Sequence, residues 1–228
     1  MNTRRLHPWN IGLRRAARIQ ETLRERLRRA RPLDSRRCLN LVAGADVSYD
    51  RGSDVIHGAV VLLSFPGMDI IERAGASGRA SFPYIPGYLS FREVPILLRA
   101  FRKLRRRPDV LLCDGQGIAH PRGFGLACHL GLLLAVPSFG CAKSRLVGEH
   151  AAPRSRRGAS APLIHEGRQV GIVLRTRDGV SPLYVSPGYR MDLERAARIT
   201  LSCCDGVRIP EPTRRAHMEA NRLRRGGA

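Results

Sequence analysis

The sequence predicts an α/β fold: a mixed sheet of three antiparallel strands followed by parallel strands, flanked by helices. Three observations carry this expectation. Strand-like runs at residues 39–49, 54–66 and 69–78 are separated by short turn-forming segments, as in an antiparallel meander. Between residues 90 and 145, apolar runs alternate with helix-like stretches, which implies parallel crossovers. Amphipathic helical patterns open and close the series.

Residues 10–31 read as the opening helix, with Ile11, Leu13, Ala17, Ile19, Leu23 and Leu27 spaced among arginines and Pro32 as its stop. No continuous apolar region follows the early positive charge, so the start reads as a basic helix and not as a secretory signal. "LNLVAGADVSYD" is the first strand, "DRGSD" the turn, and "DVIHGAVVLLSFP" and "DIIERAGASG" the next two strands. "ASFPYIPGYL" is a Pro/Gly/aromatic loop. A helix follows from Ser90 to Leu104, with Ser90 and Glu93 placed to form a capping box. "PDVLLCD" reads as a buried strand, "GFGLACHLGLLLA" as a helix and "VPSFGCAKS" as another strand. Residues 150–161 read as a basic loop, "LIHEGRQVGIVLRT" as a hairpin turning at Glu166-Gly167, and "PLYVSPG" as a short strand. "DLERAARITLSCC" closes as a helix. The expected organisation is one domain over residues 1–212 and a basic, mobile tail over 213–228.

The balance of 40 Lys and Arg against 19 Asp and Glu gives a net charge of +21. Only Lys103 and Lys143 are lysines, so the positive charge is almost all arginine. Such a surface favours polyanions, nucleic acid above all, through phosphate contacts and counterion release. The six cysteines contain no C-x-x-C pair and lie mostly in apolar stretches, so they read as reduced thiols of a cytoplasmic protein and not as a zinc site. No apolar run is long enough for a membrane helix, and no membrane partner is expected. A monomer is the default state.

Three acids have apolar neighbours: Asp46 in mid-strand, Asp114 at a strand end and Glu93 in the first turn of a helix. A desolvated carboxylate must be paired or neutralised. Carboxylates converging on Mg²⁺ solve that problem, and on a basic protein the combination points to phosphodiester chemistry. Each acid also has a purely structural explanation: hydrogen bonds for Asp46, a turn cap for Asp114 and the capping box for Glu93. If their strands are neighbours, Asp46 and Asp114 meet at one end of the sheet. Lys143 is a candidate phosphate contact or a plain surface lysine. His120 either touches substrate or satisfies a loop carbonyl. Tyr84, between prolines, is either a base-stack wedge or a packed loop aromatic. Gly87, Gly115 and Gly117 would let backbone approach a flipped base.

The stretches "VAGADVSYD", "FPYIPGYLSFRE", "DVLLCDGQGIAHPRGFGLACHLG", "PSFGCAKSRLVG" and "VLRTRDGVSPLYVSPGYRMDLERAARI" together resemble the endonuclease V family, the deoxyinosine 3′ endonucleases, over roughly residues 10–212. The resemblance implies an RNase H-like fold. It implies Mg²⁺-dependent hydrolysis, with Mn²⁺ as substitute, of the second phosphodiester 3′ to a deaminated adenine. The ends left are a 3′-hydroxyl and a 5′-phosphate. Under it, Asp46 and Asp114 are the metal carboxylates, Glu93 assists the metal or its waters, and Lys143 contacts phosphate. Pro83, Tyr84, Ile85 and Pro86 form the strand-separating wedge. Gly87, Leu89, Gly115 and Gln116 surround the hypoxanthine pocket, with His120 nearby. DNA containing deoxyinosine is the expected partner and inosine-containing RNA the alternative. One departure stands out: the family's "GHR" histidine, assigned to the metal-centred site, is replaced here by Tyr189 in "SPGYR". Asp192 is then either a partial substitute or a helix N-cap. On this reading Tyr189→His raises the rate, and a lesion-binding protein with weakened catalysis is a further alternative.

Overall fold

The computed structural model describes residues 1–34, 36–50 and 52–226. In chain order the elements are α1 (Leu13–Arg28), β1 (Leu41–Ser48), β2 (Val55–Ser64), β3 (Ile70–Arg79), α2 (Leu89–Lys103), β4 (Val110–Cys113), α3 (Leu126–Leu134), β5 (Ser138–Ala142), β6 (Ser160–His165), β7 (Arg168–Leu174), β8 (Leu183–Pro187), α4 (Leu193–Ser202) and α5 (Glu211–Arg224). One eight-stranded sheet runs β3-β2-β1-β4-β5-β8-β7-β6. The first three strands are antiparallel, and β4 and β5 add in parallel to β1. The sheet is mixed, as expected. The β6–β7 hairpin is as expected, but β8 joins both β5 and β7 antiparallel, against the expectation of parallel strands after the meander.

The alternation of strand side chains builds two cores. On one face Ala43, Ala45, Val60, Leu62, Leu111 and Cys113 pack under α2 and α3. On the other, Val42, Val61, Leu63, Val110 and Leu112 pack under α4 and α5. The hairpin turn at Glu166-Gly167 takes left-handed backbone at both residues, φ 50° and 71°, as a two-residue type I′ connection requires. Among the described residues, no helix is long and apolar enough to cross a membrane.

Two further expectations are corrected here. The capping box is absent: α2 starts at Leu89 after Tyr88, without a side-chain cap, and the Ser90 hydroxyl hydrogen-bonds Nδ1 of buried His129 at 3.0 Å. The supposed tail from residue 213 is instead most of α5, which buries Thr213, Ala216 and Ala220 against the sheet. Its start has ordinary helix signals: Glu211 and Pro212 in the first turn, with Arg222 and Arg224 in the last. Gly44 allows the close approach, because a Cβ there would lie 1.9 Å from the Pro212 carbonyl oxygen.

Candidate active site

The register of β1 against β4 creates the site. Ala45 pairs with Cys113, so Asp46 and Asp114 follow side by side where the two strands end their pairing. Asp109 fixes this register from the other end. Its Oδ2 accepts from the N–H groups of Asn40 (2.9 Å) and Leu41 (3.1 Å), and its own N–H donates to Leu41 O at 2.9 Å.

Asp46 and Asp114 share their sheet face with α5, which delivers a third polar group. His217 Nδ1 donates to Asp46 Oδ2 at 2.7 Å, while Asn221 Nδ2 donates to His217 Nε2 at 2.9 Å. Ser48 Oγ in turn donates to Asn221 Oδ1 at 2.7 Å. Ligand atoms of Asp46, Asp114 and His217 all lie within 4.8 Å of one another. The set suits a hard divalent cation: two carboxylate oxygens and one imidazole nitrogen, converging in a partly open position.

The carboxylates shape one another's titration. Burial, then Asp46, raises the Asp114 carboxyl above its usual range, and Lys143 only partly offsets this through the hydrogen bond from Nζ to Asp114 Oδ2. Glu93 enters from α2 on the other face, fully buried. Burial first, then the charges of Asp46 and Asp114, push it to about 8. The hydrogen bond to Asp46 raises His217.

Beside the carboxylates opens a cavity of about 370 Å³. Tyr84, Ile85, Pro86, Gly87, Leu89, Gly115, Gln116 and His120 all line it, together with Asp114 and Lys143. Pro83 lies outside, lining a neighbouring cleft with Tyr84 and Arg92. Tyr84 is 60% exposed, so it is not a packed loop aromatic. His120 does satisfy a loop carbonyl: its Nε2 donates to Gly87 O at 3.0 Å and its Nδ1 accepts from Arg122 N. Burial, reinforced by Arg122, lowers it to about 4, so it is neutral. Gln116 Nε2 donates to Ser144 O at 3.0 Å.

The expectation for Tyr189 is overturned. β8 runs antiparallel to β5, so the residues after Pro187 lie by Ser138, where β5 begins, whereas Lys143 follows its end. Tyr189 is buried with Leu23, Leu27, Phe124, Cys128 and Leu132. Asp192 is the N-cap of α4, accepting from Arg195 N at 2.7 Å. The imidazole of the acidic cluster is His217, whose segment reads as a tail in the sequence. The buried spacing of Ala216 and Ala220 is the signal that could have found it.

Carboxylates gathered at a sheet end beside a cleft, in a molecule this basic, define a nuclease. Comparison gives the family: the Endonuclease V family model matches residues 21–218, and the chain belongs to that family. An Endonuclease V of Dehalococcoides mccartyi strain CBDB1 is 47% identical over 96% of this chain and 97% of its own length. The crystal structure of Endonuclease V from Streptomyces avermitilis superposes with a TM-score of 0.89 at 40% identity, covering 96% of each chain. Endonuclease V of Ciona intestinalis, solved with a 24mer DNA containing an inosine followed by a ribo-adenosine, matches at a TM-score of 0.77 and 26% identity over 91% of this chain and 95% of that one.

Proposed function

We propose that this nuclease is a Mg²⁺-dependent deoxyinosine 3′ endonuclease. It hydrolyses the second phosphodiester 3′ to a deaminated adenine in DNA, leaving 3′-hydroxyl and 5′-phosphate ends. The observation that carries the reading is the convergence of Asp46, Asp114 and His217 beside the cavity lined by Gly87 and Gly115. The inosine-containing DNA bound by the Ciona relative supports the choice of lesion.

Asp46, Asp114 and His217 would hold the cation, which when bound polarises a phosphate oxygen and lowers the pKa of water. Mn²⁺ is the expected substitute, since carboxylate oxygens serve both ions. Lys143, tethered to Asp114 and 43% exposed, offers its ammonium to the phosphate at the cleavage centre. Glu93, at about 8, holds a proton at neutral pH until further positive charge arrives. Pro83, Tyr84, Ile85 and Pro86 form the wedge, with the exposed Tyr84 ring entering the base stack. The weak pairing of inosine lowers the cost of flipping it towards Gly87, Leu89, Gly115 and Gln116, and His120 braces that wall. The buried free thiols fit a cytoplasmic location.

Nicking of an inosine-containing duplex, with the ends mapped at nucleotide resolution, tests the reading. Asp46→Ala and Asp114→Ala should each abolish cutting and largely spare binding. Absence of any nick with Mg²⁺ or Mn²⁺ would overturn it. A second reading, cleavage of inosine-containing RNA, draws on the ribo-adenosine next to inosine in the Ciona complex. Parallel cleavage of matched DNA and RNA strands separates the two, because only contacts to the 2′-hydroxyl distinguish them. A binding protein without cleavage had Tyr189 as its sole support, and that residue lies in an apolar core.

A further inference from the structure

We infer that Gln20, on α1, is a positioning residue that sets the base selectivity of the cavity through the backbone of Gly87. The inference rests on the proposed function and deepens it. Gly87 lines the cavity in left-handed backbone, φ +78°, and offers no side chain to the base. A wall made of backbone cannot adapt by changing rotamer, so its shape is the orientation of its peptide groups. The Gly87 carbonyl is held by three donors: Gln20 Nε2 at 3.0 Å, His120 Nε2 at 3.0 Å and Arg122 Nη2 at 2.5 Å. That exceeds its two lone pairs and over-determines its direction.

Gln20 organises this network. It is completely buried, although it belongs to a helix whose outer face is arginine. Its Nε2 also donates to Phe124 O at 3.3 Å, and its Oε1 accepts from Arg122 Nε at 2.5 Å. The Arg122 guanidinium is stacked 4.0 Å above the Tyr88 ring, directly after Gly87. One amide, 67 residues from Gly87, thus orients both the peptide and the cation that grips it. Leu23 and Leu27 seat α1 in the core independently of this amide, so packing alone does not require a glutamine there.

The test compares Gln20→Met, which keeps the volume and loses every hydrogen bond, with Gln20→Glu, which keeps the acceptor for Arg122 and loses the donors to Gly87 and Phe124. Binding of an inosine-containing duplex and of the same duplex with adenine is measured in chelator, and cleavage of both is measured with Mg²⁺. The preference for inosine should fall about tenfold in both variants, the effect of losing the Gln20–Gly87 hydrogen bond that both lack. Affinity for the adenine duplex should stay near wild type in both variants, measured well below their unfolding midpoints, which the lost buried hydrogen bonds lower. An unchanged preference, or an equal loss on both duplexes, overturns the inference. Should wild type itself fail to prefer inosine in either assay, the proposed function is what has failed.

Discussion

His217 Nδ1 donates to Asp46 Oδ2 at 2.7 Å, joining the last helix to the first strand of the sheet. Asn221, one turn further along α5, holds the other ring nitrogen. Asn221→Ala should therefore weaken Mn²⁺ and Mg²⁺ binding by roughly 10- to 100-fold, and His217→Ala should act in the same direction with a larger effect. Calorimetric titration of the DNA-free protein measures this directly. Wild-type metal affinity in His217→Ala would mean that the imidazole only buttresses Asp46.

Glu93 gives a pH signature. In the folded protein it titrates at about 8, above its ordinary value of 4.5. Between these values the native state binds more protons than the unfolded state, so stability falls as pH rises. Glu93→Gln removes the titration. Without metal, the variant should gain steadily on wild type as pH rises from 5 to 8. Urea unfolding in chelator at the two pH values reads the difference; a constant gap would show that Glu93 ionises normally.

Asp109 carries no expected role in chemistry, yet it decides where the two catalytic candidates meet. Its carboxylate accepts two backbone N–H groups at the start of β1, setting the parallel register that brings Asp46 level with Asp114. Asp109→Ala should cost about 0.5–1.5 kcal/mol, the net worth of hydrogen bonds that water can partly replace. Chemical denaturation measures it, and a change below about 0.5 kcal/mol would show that strand pairing alone fixes the register.

Most of the fold was legible because its signals are local. The meander, the buried "VLLC" strand and the Glu166-Gly167 turn are each written in a few adjacent residues. Asp46 and Asp114 were legible for a related reason: an acid inside an apolar run has to be compensated somewhere. His217 was not, because its role depends on Gly44, far away in sequence, admitting the start of α5. Gln20 is silent in the sequence for the same reason, since nothing near it indicates that its amide ends on Gly87. Tyr189 misled because alignment to a motif gave it a place that the antiparallel direction of β8 denies it.

That last point reverses an expectation. If Tyr189 stood in for a metal-site histidine, Tyr189→His would speed cleavage. The ring is instead packed with Leu23, Leu27, Phe124, Cys128 and Leu132, and the backbone N–H of Tyr189 donates to Ser138 Oγ at 3.0 Å. Gly131 leaves room for Ser138 and Tyr189 together: a Cβ there would lie 2.1 Å from Ser138 Oγ and 2.6 Å from the Tyr189 Cβ. A smaller, more polar imidazole would leave a void and an unpaired nitrogen in that cluster. Tyr189→His should then cost about 1–3 kcal/mol of stability and leave the single-turnover cleavage rate at wild-type level. Stopped-time cleavage and urea unfolding of the same preparation provide both numbers. A faster enzyme of unchanged stability would return Tyr189 to the metal centre.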